Sequence, residues 1–307
     1  NQIEMVFNDG MFSAEIDIPF DGTVLSYYIY ASNDQEQESY FPPMGPNNPI
    51  IIVIGDLSVV YSNDFEGFNQ DWVVTGDAVD GTWESGEPEG TYYGDVPVQP
   101  EEDVTDDGDQ CFITGNNAPP NTPSDDDIDG GVTILTSPEI DISDQDQAML
   151  SYWRWFTNNL GDNPSTDMWI VQVSENGGSN WVNLENTNIS NNSWSKRIFF
   201  LEDYINLTSS VQFRFLAEDI FHDGEFGSGG SIVEAALDDI FIYSIANNIL
   251  LGDANFDGVI DILDVVIIIN FALLTTEPTS NQFTVSDVNA DGVIDVLDIV
   301  LIINLIL

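Results

Sequence analysis

Two stretches near the C-terminus, GDANFDGVIDILDVVIIINFAL at residues 252–273 and SDVNADGVIDVLDIVLIINLIL at residues 286–307, set the reading of this chain. Aligned without gaps, 14 of their 22 positions are identical. Each begins as an acidic loop and runs directly into an apolar helix. A calcium ion takes about six to eight oxygen ligands, and a loop of about twelve residues supplies most of them from fixed positions. The first copy offers Asp253, Asn255 and Asp257 at loop positions 1, 3 and 5. Gly258 stands at position 6, where the chain must turn sharply. Val259 offers its main-chain carbonyl at position 7, Asp261 stands at position 9 and Asp264 closes the loop at position 12. The second copy repeats the set with Asp287, Asn289, Asp291, Gly292, Val293, Asp295 and Asp298. Carboxylates this close repel one another unless a cation sits among them. Asx-rich turns that only cap the helices are the alternative; the same spacing twice in matching register favours calcium.

Position 12 carries Asp where an EF-hand has a bidentate Glu, and no helix is evident before the loop. This loop-then-helix unit resembles a type I dockerin over about 56 residues. The resemblance implies two calcium ions, calcium-dependent folding and docking to a cohesin on another protein. Two features depart from the family's pattern. Loop positions 10 and 11 often carry small hydroxyl residues in the family, and here they are Ile262 and Leu263, then Val296 and Leu297. The helices carry no charge beyond Asp264 or Asp298, where the family has basic residues. A helix apolar on nearly every face is expected to be buried. The expected partner is therefore a cohesin-like protein, the chain's own domains, another copy or a neighbouring subunit.

The formal charge is −50, with four basic residues in 307. They are Arg154, Lys196, Arg197 and Arg214. Phosphate binding needs Lys and Arg, so nucleic acid is excluded as a partner, and anionic membrane surfaces with it. So acidic a chain repels itself unless salt screens it or cations bind. Hydrophobic residues at 42% and seven Trp argue for a folded protein. The single cysteine, Cys111, permits no internal disulfide. No stretch is long and apolar enough to span a membrane as a helix. The sequence starts within a strand pattern and without Met, which reads as part of a larger exported protein. Calcium sites of this type suit a secreted or cell-surface setting, here with a bacterial look.

Residues 1–57 read as strands, with an Asp21-Gly22 turn and a proline-rich FPPMGPNNP segment. They resemble part of an Ig-like or fibronectin type III module. A full sandwich of that kind needs about seven strands; four or five are legible. Gly55–Val60 reads as a linker. Residues 61–246 show short alternating strands at regular spacing, without an amphipathic helix, which implies a jelly-roll β-sandwich. The opening DFEGF and the closing LDDIFI resemble MAM-like and carbohydrate-binding-module jelly rolls. The resemblance implies that first and last strands pair and that a further calcium ion sits by Asp64, Glu66, Asp238 and Asp239. Solvated edge acids are the alternative.

Between Glu84 and Asp129 there are fourteen acidic residues and no Lys or Arg. Calcium held by Glu101, Asp103, Asp107 and Asp109, or by Asp125, Asp127 and Asp129, is one reading; a solvated acidic flap is the other. Trp153 and Trp155 alternate with Tyr152, Arg154 and Phe156. If one face of that strand is exposed, the two Trp could stack on sugar rings; core packing with a cation–π contact to Arg154 is the competing reading. With one His, His222, and one Cys, no zinc site of His and Cys ligands can be assembled. No catalytic residue is assigned: there is no nucleophile elbow and no phosphate-binding Gly loop.

The expected fold is thus mainly β, with a small helical calcium domain at residues 250–307. The expected function is non-catalytic attachment or assembly that depends on calcium, with a protein, a surface, a glycan or another copy as partner. Two further readings stay open. One is the accessory C-terminal region of a secreted hydrolase, whose zinc carboxypeptidase-like or polysaccharide-degrading domain lies upstream. The other is a filament subunit completed by strand donation.

Overall fold

The computed structural model describes residues 3–8, 11–16, 23–35, 37–42, 45–54, 57–67, 69–105, 107–116, 122–123, 127–220, 231–245 and 250–307. Asp125, His222 and the Asp21-Gly22 turn lie outside them. The chain divides into two compact units, residues 24–245, and residues 1–23 with 246–307.

The larger unit is a β-sandwich whose two sheets are antiparallel throughout. One sheet runs, by neighbouring strands, Asn191–Phe200, Ala148–Gly161, Ser231–Ile245, Cys111–Thr114 and Trp83–Gly86. The strand Leu57–Asn63 pairs with the second half of Ser231–Ile245, from Ile240↔Asn63 to Ile245↔Leu57. First and last strands of the sandwich therefore lie side by side. Residues 57–60, expected as linker, are part of that first strand. The other sheet runs Val182–Thr187, Trp169–Ser174, Gln212–Asp219, Gly131–Thr136 and Val73–Gly76. Alternation does the sorting: along Gln212–Asp219, Phe213, Phe215, Ala217 and Asp219 are buried, and the residues between them are half-exposed. The core between the sheets holds Phe65, Trp72, Trp83, Phe112, Leu135, Tyr152, Phe156, Trp169, Phe213 and Phe215.

The strand Ala148–Gly161 is buried on both faces. Tyr152 and Phe156 face the core. Trp155 lies in a second cluster with Cys111, Ile113 and Ala236, with Trp194 against it. The Trp155 indole N–H donates to the carbonyl of Val98 at 2.7 Å, in the hairpin formed by Thr91–Tyr93 and Val96–Gln99. That hairpin comes from the acidic 84–129 stretch and is fastened to the sandwich. The Gln99 side chain donates to the carbonyl of Thr114 at 3.1 Å. The Trp194 indole donates to the carbonyl of Glu102 at 2.8 Å.

Before the sandwich, the described residues form two-stranded ladders: Val6–Asn8 with Met11–Ser13, Thr23–Tyr27 with Ile50–Ile54, and Ile29–Ser32 with Glu38–Phe41. In the first and third ladders the described side chains are exposed.

The C-terminal segment contains three helices, α1 (Ile262–Ala272), α2 (Ser280–Ser286) and α3 (Val296–Ile306). α1 and α3 are the apolar helices read from sequence. They meet along one side through Val265, Ile268, Phe271 and Ile302, with Ala254 beneath. The short α2 precedes the second loop and was not expected. Its signal is a capping box: Thr279 Oγ1 accepts from the Gln282 N–H, and the Gln282 side chain accepts from the Thr279 N–H.

Candidate calcium loops and carboxylate clusters

In each tandem loop the side chains turn inward because main-chain N–H groups hold them there. Asp253 accepts from the N–H of Asp257 at 3.2 Å and of Gly258 at 2.8 Å. Asn255 Oδ1 accepts from Asp257 N–H at 2.9 Å, and Asp257 accepts from Val259 N–H at 2.9 Å. The second loop repeats each bond: Asp287 with Asp291 and Gly292, Asn289 with Asp291, and Asp291 with Val293. Gly258 and Gly292 have φ of 81° and 84°, a backbone that L side chains rarely adopt, so position 6 needs glycine.

Asp264 and Asp298 at position 12 are fully buried. Asp264 accepts from Asn255 N–H at 3.1 Å and from Asp261 N–H at 2.8 Å; Asp298 does the same with Asn289 and Asp295. Asp261 and Asp295 at position 9 cap α1 and α3, accepting from the N–H of Leu263 and Leu297. The closing carboxylate thus ties the loop's start to the helix it opens.

The test of fit is the donor chemistry. Each loop gathers carboxylates, an amide oxygen and a main-chain carbonyl, with no nitrogen or sulfur donor and no basic side chain within residues 250–307. That is a hard-cation set. Among the described residues no three His, Cys, Asp or Glu side chains form a ready-made cage. The loops depend instead on a mixed set in which every ionised carboxylate oxygen keeps a spare lone pair beside its N–H partner. Asp253, Asn255, Asp257, Val259, Asp261 and Asp264, with their counterparts, would hold a calcium ion.

At one end of the sandwich, the paired first and last strands bring a second set together. Asp238 is fully buried; it accepts from the N–H of Val104 at 2.9 Å and of Asp239 at 2.7 Å. Asp239, at φ 49°, accepts from the Thr105 hydroxyl at 3.1 Å. Glu66 accepts from the N–H of Asp109 at 3.1 Å and of Gln110 at 2.8 Å. Asp103, half-buried, lies against Glu66; burial, with Glu66 next, pushes its carboxyl up to about 6. Burial first, then Asp239 and Asp103, raises Asp238 to about 7. Asp64 is exposed and bonds its own turn, accepting from Glu66 N–H at 3.2 Å. The structure therefore adds Asp103 to Glu66, Asp238 and Asp239. It comes from the 84–129 stretch, where the sequence groups it with Glu101, Asp107 and Asp109 rather than with the first and last strands.

Trp155 is 7% exposed and its N–H is used internally, which places it in the core rather than on a sugar-binding face. The expectation of an outward face assumed a half-buried strand, and the 91–99 hairpin covers that face. Trp153 is half-buried, with the Lys196 Nζ 5.9 Å from its ring centre. The Arg154 guanidinium stands 5.9 Å from the ring of Trp169 and pairs with Glu185 at 3.1 Å.

Residues 251–307 match the Dockerin type I domain family, whose members bind calcium. The chain is similar in structure to TmCBM61, solved in complex with beta-1,4-galactotriose, at 13% identity over 57% of this chain and 90% of that chain, with a TM-score of 0.35. It is similar to a cleaved adhesin domain of Lys-gingipain from Porphyromonas gingivalis at 15% identity, over 61% of this chain and 98% of that chain, with a TM-score of 0.37. A xylan-binding domain from Paenibacillus barcinonensis Xyn10C is similar at 14% identity, over 63% of this chain and 98% of that chain, with a TM-score of 0.32. No curated protein matches the chain. Among the described residues no helix is long and apolar enough to cross a membrane.

Proposed function

We propose that this chain is a calcium-dependent, non-catalytic attachment region, exported from its cell, that docks through its C-terminal dockerin to a cohesin-type protein. It comprises a partial Ig-like module at residues 1–57, a jelly-roll sandwich at 61–246 and the dockerin at 250–307. One observation carries the docking reading. Loop positions 10 and 11 open α1 and α3 with apolar side chains that face solvent: Ile262 is 63% exposed, Leu263 56%, Val296 64% and Leu297 55%. Val266 and Val300, one turn further along, are exposed as well. Large apolar side chains left exposed together mark a binding surface. The internal repeat offers the same chemistry at the start of both helices, each held by a calcium loop. With no charge on either helix beyond the buried Asp264 and Asp298, the partner's complementary surface is apolar too, unlike that of a cohesin matched to basic helices.

The test is surface plasmon resonance of the full chain against a panel of cohesin domains, in millimolar calcium and in chelator. Binding in calcium, lost in chelator and weakened at least tenfold by combining Leu263→Asp with Leu297→Asp, is the expected result. A chain that binds no cohesin in the panel, or binds equally in chelator, overturns the reading.

A further inference from the structure

The register of the second sheet puts two core-facing carboxylates opposite each other. Trp169 pairs with Ala217 across antiparallel strands. The Glu218 N–H donates to the Met168 carbonyl at 3.3 Å, which carries the ladder one step further and sets Asp167 opposite Asp219. Asp219 follows Phe213, Phe215 and Ala217 on the inward side, and Asp167 precedes Trp169, Val171 and Val173 on theirs. Both are fully buried. On the other flank Asp219 pairs with Gly131, two residues after Asp129. Asp127, 2% exposed, leads into the same strand, and the Ile128 N–H between them bonds to the Val233 carbonyl of the facing sheet.

Like charges directly opposite on neighbouring strands are destabilising, more so when buried. Among the described residues no basic side chain answers them. Arg154 and Arg197 pair with Glu185, Lys196 lies over Trp153, and Arg214 lies over Trp181. Asp167 has partners, the Ile220 N–H and the Thr166 hydroxyl. Asp219 has none for either carboxylate oxygen. A fully buried carboxylate with both oxygens unpartnered, aimed at a second carboxylate, needs a proton or a cation. Burial first, then Asp167 and Asp129, raises Asp219 to about 7, and burial, then Asp129, raises Asp127 to about 8.

We propose that Asp127, Asp129, Asp167 and Asp219 form a calcium site within the sandwich, distinct from the dockerin loops and from the Glu66–Asp238 cluster. The donors are all oxygens drawn from three chain segments, which suits the large, geometrically tolerant calcium ion over magnesium. Ion binding requires these carboxylates to rotate toward one another, since they are not gathered into a cage as they stand.

The experiment counts bound calcium by equilibrium dialysis in the full chain carrying Asp253→Ala and Asp287→Ala, so that the dockerin loops do not contribute. Adding Asp219→Asn, or separately Asp127→Asn, is expected to remove one ion per chain while leaving the melting temperature in chelator unchanged or higher. An unchanged count in both variants overturns the proposal, as does displacement of the ion by a tenfold excess of magnesium. If either variant melts lower in chelator, the unsubstituted chain crystallised with terbium decides. An anomalous peak between Asp167 and Asp219 supports the site, and its absence there overturns it.

Discussion

Glu185 gathers two cations and two neutral donors of the sandwich onto one carboxylate. Arg154 Nη1 and Arg197 Nε lie 3.1 and 3.2 Å from Oε1. The Tyr152 hydroxyl and Trp169 indole donate to Oε2 at 2.7 and 3.0 Å. Arg154 is 2% exposed, and burial lowers its pKa while Glu185 opposes that. Removing one partner of a buried pair leaves the other charge uncompensated, at about 3–5 kcal/mol. Glu185→Ala is therefore expected to cost about that much in urea denaturation; a loss below about 1 kcal/mol would show that Arg154 reaches solvent. No sequence spacing announces this site, because Arg154 and Glu185 lie on strands of different sheets. The loop geometry was legible for the opposite reason: Asp253, Asn255, Asp257 and Asp264 lie within one short segment, where spacing alone fixes geometry. Asp167 and Asp219 were not, since among 54 acidic residues neither stands out until the fold brings it to another.

The helices show where composition misleads at the scale of an element. A charge-free sequence such as VVIIINFALL led to the expectation of burial on every face. The structure buries Val265, Ile268 and Phe271 of α1 and leaves Ile262, Leu263 and Val266 exposed. Hydrophobicity reports what a face prefers to touch, and a partner on another chain satisfies it as well as the chain's own core. Exposing Ser in place of Leu263 and Leu297 should then leave stability nearly unchanged, whereas Ile302→Ala, which opens the α1–α3 contact, should cost about 2–5 kcal/mol. Equal losses from both, by thermal melting in calcium, would mean that the exposed residues pack in solution. The α2 capping box makes a smaller claim. Thr279→Ala removes an N-cap worth about 1 kcal/mol, and α2 connects to the first loop through the Gly252 N–H to Val285 carbonyl bond at 2.7 Å. Weaker calcium binding at the first loop than at the second is the expected readout in Thr279→Ala, by terbium luminescence of chains with one loop disabled. The sandwich itself was readable strand by strand, because alternation survives even where both faces are buried. The 91–99 hairpin over Trp155 was not, because which strand acquires a cover depends on the tertiary fold.

For the whole molecule the formal charge of −50 and the buried carboxylates pull in the same direction, and salt separates them. In chelator, Asp103, Asp127, Asp219 and Asp238 have folded-state pKa values of about 6, 8, 7 and 7, above the ordinary carboxylate value in the unfolded chain. The folded chain then binds more protons than the unfolded one across that interval. Stability is therefore greatest below about pH 4 as far as these groups go. It is lost as pH rises through about 6 to 8. Surface repulsion adds to the same trend, but at about 1 M salt the screening length falls to about 3 Å, so exposed charges no longer act on one another while buried ones still do. Melting in chelator and 1 M sodium chloride is accordingly expected to fall between pH 5 and pH 8. Calcium reverses that slope, because an ion bound only by the folded, deprotonated carboxylates stabilises by about 2.7 kcal/mol at a hundredfold excess over its dissociation constant. Melting measured at both pH values, with and without calcium, decides the matter. A chelated protein that is as stable at pH 8 as at pH 5 in high salt would show that its buried carboxylates find other partners, and that calcium acts only at the dockerin.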